Sequence, residues 1–281
     1  MLLRFPGGKN KKSVVKKIMA YFPLFYKEYR EIFCGSAGVF WNIDISIKRW
    51  INDIDEDLIS VYLALKNRPQ EFIDLCRAII PANKNEELTS AREGGRKIYN
   101  ARLKKVFDDF VAHPEMDKAL RYFFINRVNF AGRVNYDMPS RLYYSNPSGW
   151  NIVKTDKLEK AAELVKDAKI TCGDYSLLLE EPGNEVFCYL DPPYYRNSSF
   201  SSGSKLYKYN FTKEDHVKLA EKVLKCQHKV LISYDDDKDG VIRSLYSDKM
   251  FNIYEESWTY SGTTLKNKEI GKELIITNFR K

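Results

Sequence analysis

Apolar and polar positions follow a strand–helix pattern along the first 66 residues. Residues 31–33 form a short apolar run that ends at Gly35 and predicts a strand followed by a turn, and residues 39–48 predict a helix. Residues 50–54 predict a second strand, and residues 57–66 a helix whose apolar side chains recur at helical spacing. Such alternation predicts a parallel sheet covered by helices.

The same alternation returns in the second half of the chain. Residues 156–168 and 212–225 predict helices, the second with Thr212 as N-cap and Asp215 in the capping-box position. The predicted strands are listed by residue number: 170–172, 186–190 and 229–234. Residues 251–260 and 273–279 predict two further strands joined by a polar loop, and therefore an antiparallel hairpin that closes the sheet edge.

Residues 68–150 differ from both halves because they are helical and basic in character and lack strand alternation. The simplest interpretation is an α/β domain made of residues 1–67 and 151–281, with a mostly helical domain inserted at residues 68–150. A chain of 281 residues is long enough for such a domain and its core.

Charge and cysteine usage narrow the function classes. The net charge of +8 favours phosphate-rich partners or an anionic membrane. The five cysteines are scattered without a Cys-x-x-Cys pair, which argues against a disulfide framework and against a zinc site. The chain shows no apolar run long enough for a signal peptide or a membrane span. We therefore expect a cytoplasmic protein that uses no metal and contacts no membrane.

The segment Asp191-Pro192-Pro193-Tyr194 directly follows the predicted buried strand at residues 186–190. A carboxylate at the carboxyl end of such a strand lies where α/β sheets bind ligands. The two prolines fix φ and remove two backbone N–H donors, so this rigid turn presents acceptors, the Asp191 carboxylate and the Pro192 carbonyl. These acceptors suit an exocyclic amine, and Tyr194 offers a flat face for a planar base. A Pro-Pro turn with a capping aspartate is the structural alternative.

Four segments occur in a fixed order and together resemble a known family. They are Leu3-Arg4-Phe5-Pro6-Gly7-Gly8-Lys9, Glu31-Ile32-Phe33-Cys34-Gly35-Ser36-Ala37-Gly38, Asn52-Asp53-Ile54-Asp55 and the Asp191 tetrapeptide, with Thr171-Cys172-Gly173-Asp174-Tyr175 before the last. This order resembles the Dam-type (D12 class, alpha group) DNA adenine-N6 methyltransferases. The resemblance covers most of the chain outside about residues 68–120 and 134–150.

The resemblance implies a fold, a cofactor and a set of residues. The implied fold is a Rossmann-like class I methyltransferase sheet with an antiparallel C-terminal hairpin, and residues 68–150 become a target-recognition insertion. The implied cofactor is S-adenosylmethionine. Its implied contacts are Phe5, Lys9, Phe33, Gly35, Asp53, Asp174, Tyr175 and Asp191. The implied catalytic residues are Asp191, Pro192, Pro193 and Tyr194, with Tyr194 stacking on an adenine flipped out of the duplex.

Double-stranded DNA is the implied partner of a protein that we expect to be a monomer, with a companion restriction endonuclease as a further possible partner. The predicted DNA contacts are Asn126, Arg127, Asn129, Arg133, Lys205, Lys208, Lys266 and Lys268. Arg and Asn can read guanine and adenine edges in the major groove. The chain has Tyr136-Asp137-Met138-Pro139-Ser140-Arg141 where family members that read GATC usually have Gly-x-Phe-Asn-x-Pro-x-Gly. The resemblance therefore does not imply a GATC target.

Two alternatives stay open from the sequence. Amino-methyltransferases of RNA adenine or of protein glutamine share the general motif, but they usually carry asparagine at the position of Asp191, and cytosine-N4 enzymes usually carry serine. A non-catalytic DNA-binding module with a degenerate nucleotide fold is the second alternative. Asp191 and the intact cofactor segments favour a DNA adenine methyltransferase over both.

Overall fold

A seven-stranded mixed sheet organises the part of the chain that the computed structural model describes, namely residues 2–3, 9, 11–78, 117–128, 155–195, 208–209, 211–259 and 270–280. The strands are β1 (Glu28–Glu31), β2 (Lys48–Asp53), β3 (Lys169–Cys172), β4 (Val186–Leu190), β5 (Lys229–Asp235), β6 (Asn252–Thr259) and β7 (Ile270–Thr277). Their order in the sheet is β3-β2-β1-β4-β5-β7-β6. The first five are parallel to one another, and β7 is antiparallel to both of its neighbours.

Helices cover both faces of this sheet. They are α1 (Lys12–Met19), α2 (Glu56–Asn67), α3 (Pro69–Ala78), α4 (Lys118–Val128), α5 (Thr155–Val165), α6 (Ser176–Glu180), α7 (Lys213–Lys225) and α8 (Val241–Leu245), with one 3₁₀ turn at Phe40–Asn42. Buried side chains of α1 to α5 form one core and those of α6 to α8 a second core on the opposite face. The result is the α/β architecture expected from the strand–helix alternation.

Side chains alternate between the two faces of each strand, which explains why two cores form. In β4, Phe187 and Tyr189 belong to the core of α1 to α5, whereas Val186, Cys188 and Leu190 belong to the other core. All five residues of this strand are buried. A strand that is covered on both faces is apolar at every position, which is why the continuous run at residues 186–190 predicts its bounds correctly.

The predicted C-terminal hairpin is confirmed. β6 pairs with β7 in antiparallel register from Asn252↔Thr277 to Thr259↔Ile270. β7 also pairs with β5, so it lies between β5 and β6 in the sheet. The predicted capping box of α7 is confirmed as well, because the Thr212 side chain accepts from the Asp215 backbone N–H and the Asp215 carboxylate accepts from the Thr212 backbone N–H.

The strand predicted at residues 31–33 is wrong in its bounds, since β1 ends at Glu31. The strand begins earlier, with charged residues that an apolar pattern does not reveal. Arg30 and Glu28 are both buried, and Arg30 Nε donates to Glu28 Oε1 at 2.7 Å. Arg30 Nη1 also donates to the carbonyls of Leu178 and Glu181, each at 2.7 Å. Pairing and full hydrogen bonding make these buried charges tolerable.

The helix predicted at residues 39–48 is also wrong. Only the 3₁₀ turn Phe40–Asn42 forms, and Ile43 is extended with ψ at 135°. Asp44 then makes a local turn in which its Oδ1 accepts from the Ser46 backbone N–H at 2.9 Å. Short polar side chains compete with helical hydrogen bonds in this way, and the chain enters β2 at Lys48.

The described helices of the predicted insertion are α3 and α4. Both pack against α2, and their apolar side chains, including Phe72 and Phe124, are part of the same core as α2 and α5. The helical character of these two segments agrees with the prediction, while the domain boundaries at residues 68 and 150 stay a prediction. No helix among the described residues is both long and apolar enough to cross a bilayer.

Candidate active site

The carboxyl ends of four parallel strands bring the predicted site residues to one edge of the sheet. Phe33 and Gly35 follow β1, Asp53 ends β2, Asp174 follows β3 and Asp191 follows β4. The strand order changes direction between β1 and β4, since β2 and β3 lie on one side of β1 and β4 and β5 on the other. Open α/β sheets bind ligands at such a switch point.

The loop after β1 is organised by Asp53. The Gly35 backbone N–H donates to Asp53 Oδ2 at 2.9 Å, and the Asp55 backbone N–H donates to Oδ1 at 3.1 Å. Gly35 has φ at 45°, in the left-handed region that favours glycine. Tyr62 from α2 donates to the Gly35 carbonyl at 2.6 Å. The sequence therefore brings a glycine loop and an acidic side chain together, as the predicted cofactor motifs require.

Asn52 joins three loops at this edge, although sequence reasoning did not include it among the site residues. Its Nδ2 donates to the Gly173 carbonyl at 2.9 Å, and its Oδ1 accepts from Thr171 Oγ1 at 2.8 Å. The Asn52 carbonyl accepts from the Cys34 backbone N–H at 2.9 Å. In the sequence, Asn52 is recognisable only by its position directly before the predicted acidic residue Asp53. The structure shows that it is buried, and a buried amide needs hydrogen-bond partners such as these loops provide.

Asp53 has an unusual protonation equilibrium. Burial raises the pKa of Asp53 to about 6, against the hydrogen bonds from Gly35 and Asp55 that lower it. The carboxyl is therefore mostly ionised at pH 7 and becomes protonated under mildly acidic conditions. In the ionised form it presents acceptors only, which suits a pair of ribose hydroxyls.

An aromatic group lies next to the glycine loop. The rings of Phe33 and Tyr175 have centroids 5.5 Å apart, and the ring of Phe211 lies 5.8 Å from Phe33. All three are partly exposed, so they form an apolar surface rather than a closed core. Asp174 is exposed, and its Oδ1 accepts from the Ser176 backbone N–H at 2.9 Å. Its predicted contact with an adenine amino group stays a prediction.

These residues fit a nucleoside cofactor. Asp53 offers acceptors for a ribose, the left-handed Gly35 loop brings backbone close to a ligand, and Phe33, Tyr175 and Phe211 offer apolar faces for a base. The types and positions of these residues thus match the adenosyl half of S-adenosylmethionine.

Asp191 is held by side chains rather than by backbone groups. Lys9 Nζ lies 3.1 Å from Asp191 Oδ1, and Ser233 of β5 donates to the same oxygen at 3.1 Å. No hydrogen bond from the described residues reaches the other oxygen, Oδ2. Pro192 is buried and Pro193 is half-buried, so the turn that carries the carboxylate is fixed by packing as well as by its proline rings.

Tyr194 is fixed at its hydroxyl. The hydroxyl donates to Glu273 of β7, at 2.8 Å from Oε1 and 3.0 Å from Oε2, and it accepts from Lys9. Lys9 Nζ lies 3.2 Å from Glu273 Oε2. Lys9 is 3% exposed, and its burial opposes its charge, but Asp191 and Glu273 outweigh this and hold the pKa of Lys9 above its ordinary value. The ammonium is therefore charged throughout the neutral range.

Glu31 is a further buried carboxyl near Asp191. Burial raises the pKa of Glu31 to about 8, and the neighbouring charge of Asp191 acts in the same direction. The Tyr29 hydroxyl donates to Glu31 Oε2 at 2.7 Å, and the backbone N–H groups of Val39 and Phe40 oppose the rise in pKa. Glu31 is therefore mostly protonated at pH 7, which limits the negative charge close to Asp191.

Glu31, Tyr189, Ser233 and Glu273 were not in the set of predicted site residues, yet they form a polar row across the sheet. Because side chains alternate between the two faces of a strand, residues two positions apart share a face. Each of these four residues shares its face with an apolar residue of the first core, as Glu273 does with Ile275. Tyr189 and Ser233 are joined by a hydrogen bond of 3.0 Å between their hydroxyls. The sequence signal is a polar residue at an inward position of an otherwise apolar strand.

Comparison with known proteins shows the family to which the chain belongs. The sequence matches the family of D12 class N6 adenine-specific DNA methyltransferases over residues 5–261. The chain belongs to this family. It is therefore an adenine-specific DNA methyltransferase, and the family implies S-adenosylmethionine as the methyl donor. The match decides among the alternatives that the sequence left open, against an RNA or protein-glutamine enzyme and against a non-catalytic module.

Full-length relatives agree with the family assignment. The type II methyltransferase M1.LlaDCHI of Lactococcus lactis subsp. cremoris is 26% identical over 282 residues, 98% of this chain and 94% of that protein. The type II methyltransferase M.MjaIII of Methanocaldococcus jannaschii is 28% identical over 287 residues, 97% of this chain and 91% of that protein. The DNA adenine methylase of Vibrio cholerae serotype O1 is 27% identical over 288 residues, 98% of this chain and 94% of that protein.

The structure buries two of the predicted DNA contacts of this methyltransferase and engages a third in ion pairs. Asn126 and Arg127 of α4 are buried, and Arg127 Nη1 lies 3.5 Å from the Leu2 carbonyl oxygen. Lys208 is bound to Glu56 and to Asp57, the latter at 2.8 Å. This placement favours structural roles for all three, and DNA contact by them stays a prediction. Outside the described residues lie the predicted site residues Phe5, Asn129, Arg133, Lys205, Lys266 and Lys268.

Proposed function

We propose that this methyltransferase transfers a methyl group from S-adenosylmethionine to N6 of an adenine that is flipped out of double-stranded DNA, with Asp191 and the Pro192 carbonyl as hydrogen-bond acceptors for the N6 amine. One observation carries the proposal. Oδ1 of Asp191 is held by Lys9 and Ser233, whereas Oδ2 accepts no hydrogen bond from the described residues, so one oxygen fixes the carboxylate and the other is left as an acceptor for the N6 amine.

The proposed role of Asp191 is electrostatic. The adenine N6 lone pair is delocalised into the ring and is a poor nucleophile, so acceptors for both N6 hydrogens help to localise that pair on nitrogen. S-adenosylmethionine supplies an electrophilic methyl group carried on a sulfonium. As N6 becomes methylated it gains positive charge, which the Asp191 carboxylate stabilises, and the surplus N6 proton then leaves to Asp191 or to water. Tyr194, held at its hydroxyl, supports the base from one side.

The proposed cofactor contacts are divided between the two sides of the switch point. Asp53 accepts from the ribose hydroxyls, the Gly35 loop approaches the ligand through its backbone, and Phe33 and Tyr175 pack on the adenine ring. Phe5, Asp174 and Asp191 complete the predicted set, together with Lys9. Lys9 is in contact with Asp191 through its ammonium, so its proposed contact with the methionine part of the cofactor is limited to the apolar part of its side chain.

Target recognition is proposed for residues 68–150, which carry the predicted contacts at Asn129 and Arg133. The net charge of +8 supports a DNA partner because lysine and arginine neutralise backbone phosphates. Two of the relatives are named type II methyltransferases, which supports a companion restriction endonuclease for this protein too.

The test is transfer of a tritiated methyl group to duplex DNAs of varied sequence, with RNA as the control substrate and with digestion to nucleosides to locate the label. We expect N6-methyladenine from duplex DNA only. Label in RNA alone, or in cytosine, would contradict the proposal. Once a target sequence is known, 2-aminopurine at the target position should become more fluorescent on binding, and an unchanged signal would argue against base flipping.

A further inference from the structure

Glu273 is a buried carboxylate that directly precedes an apolar run in β7. Its side chain is fully buried, and Leu274, Ile275 and Ile276 follow it in β7. Burying a carboxylate costs several kcal/mol unless it is paired and hydrogen-bonded. Glu273 therefore needs partners whose charges and hydrogen bonds offset this free energy. The identity of these partners indicates its role.

Two partners of Glu273 belong to the catalytic side. The Tyr194 hydroxyl donates to it at 2.8 Å and Lys9 Nζ lies 3.2 Å away. Lys9 Nζ also lies 3.1 Å from Asp191 Oδ1 and donates to the Tyr194 hydroxyl. Lys9, Tyr194 and Glu273 thus form a closed triangle of hydrogen bonds, and Asp191 is joined to this triangle through Lys9.

We propose that Glu273 is a positioning residue for methyl transfer, which orients the Tyr194 ring and holds the Lys9 ammonium at the edge of Asp191. This inference rests on the function proposed above. Glu273 acts through the two residues that it holds, Tyr194 and Lys9. Its location on β7 joins the catalytic turn after β4 to the C-terminal hairpin.

The charge balance gives Glu273 a second effect. Lys9 with Asp191 alone would be a neutral pair, whereas Lys9 with Asp191 and Glu273 carries one net negative charge. A net negative group is better suited than a neutral pair to stabilise positive charge that develops on adenine N6. Among the described residues, the charged and titratable groups around Lys9 are Asp191, Glu273 and Tyr194. The Trp258 ring of β6 lies 5.6 Å from Lys9, and Glu31 of β1 is next to Asp191.

The substitution Glu273→Gln keeps the size of the side chain and removes its charge. We expect kcat to fall about 10- to 100-fold, because a slightly misplaced ring and a weaker field both raise the barrier, while the KM for S-adenosylmethionine changes less than about twofold. With one counter-charge removed, the pKa of Lys9 falls toward its ordinary value, so the alkaline limb of the kcat profile should move to lower pH.

Glu256 provides a matched control on the neighbouring strand, opposite Glu273 in the β6–β7 register. It too accepts from one lysine and one tyrosine, Lys17 Nζ at 2.9 Å and Tyr21 Oη at 2.9 Å, but away from Asp191. Glu256→Gln should leave kcat and its pH profile unchanged. A purely structural role of glutamates in the hairpin would instead give the two variants the same kinetic behaviour.

The decisive measurement is kcat against pH for the wild type, Glu273→Gln and Glu256→Gln, with N6-methyladenine as the product. A wild-type rate and profile in Glu273→Gln would overturn the inference. If Glu273→Gln does not fold, Tyr194→Phe removes the same contact from its other side, and an unchanged kcat in that variant would overturn the inference too. A wild type that forms no N6-methyladenine would instead contradict the proposed function.

Discussion

The two sides of the switch point hold their aspartates in different ways. On the side of β1, β2 and β3, Asp53 accepts from the backbone N–H groups of Gly35 and Asp55. On the side of β4, β5 and β7, Asp191 is held by the side chains of Lys9 and Ser233. The first arrangement joins the ends of two adjacent strands, β1 and β2, through backbone donors, whereas the second depends on particular side chains from separate parts of the chain.

This difference predicts how well each side tolerates amino-acid substitutions. Backbone donors are present whatever the residue, so the cofactor side should depend on few side chains, mainly Asp53 and the left-handed Gly35. The catalytic side places two carboxylates around one buried ammonium, with Lys9 Nζ 3.1 Å from Asp191 and 3.2 Å from Glu273, so that each charge affects the energy of the others. A single substitution there changes several groups at once.

The largest expected effect comes from Asp191→Asn, which removes the charge of the catalytic side and keeps the shape of the side chain. We expect the single-turnover rate of methyl transfer to fall at least about 10²- to 10³-fold, because the electrostatic stabilisation of N6 is lost. Affinity for S-adenosylmethionine should change only a few-fold. Rapid-quench transfer and equilibrium binding measure the two quantities, and a large loss of affinity with an unchanged rate would reverse the roles assigned to the two sides.

The next effect is on stability and concerns Glu31, which lies between the two sides. Its pKa is about 8 in the folded protein against an ordinary value of 4.5, so the folded state binds more protons in this window. Stability should therefore fall as the pH rises from 4.5 to 8, by on the order of a few kcal/mol for this group. Glu31→Gln stays neutral and should be more stable than the wild type at pH 9.

Denaturant unfolding of Glu31→Gln and wild type at pH 6 and at pH 9 tests this prediction. The difference in unfolding free energy between the two proteins should change with pH in favour of the variant at pH 9. A difference that is the same at both values would mean that Glu31 is already ionised at pH 6.

The smallest expected effect concerns the pH dependence of cofactor binding at Asp53. Because its pKa is about 6 in the free protein, the ionised fraction falls on acidification. Affinity for S-adenosylmethionine should drop roughly tenfold between pH 7.5 and pH 5 if the ionised form binds the ribose. Asp53→Asn should bind more weakly at pH 7.5 and show a flatter profile by calorimetry. A wild-type profile as flat as that of the variant would remove Asp53 from the ribose site.

Much of the fold could be predicted because its signals are local. The apolar run at residues 186–190 and the capping box at Thr212 and Asp215 depend on neighbouring residues, and both are confirmed. β1 could not be located from apolar pattern, since Arg30 and Glu28 are buried as a pair within it. The missing helix after Gly38 is explained by the extended Ile43 and the Asp44 turn, which override a favourable apolar spacing.

The site residues likewise divide into those that short sequence segments reveal and those that depend on distant contacts. The Asp191 tetrapeptide, Gly35 and Asp53 are recognisable from short segments, and the structure brings them to one sheet edge. The contact between Lys9 and Glu273 joins residues 264 positions apart, and no local pattern reveals such a partner. The burial of Asn126 and Arg127 is likewise a property of how α4 packs, because polar side chains in a basic segment are more often exposed.

β7 lies between β5 and β6 although it follows both in sequence. On the ribosome, β6 is therefore synthesised before the strand that will join it to the sheet, and the edge of β5 stays open until residues 270–277 have emerged. At about 5–20 residues per second this delay is short, but an unpaired edge is available to other chains while it lasts. The same delay applies to Glu273. In a nascent chain, the cofactor side would therefore assemble before the methyl-transfer side is complete.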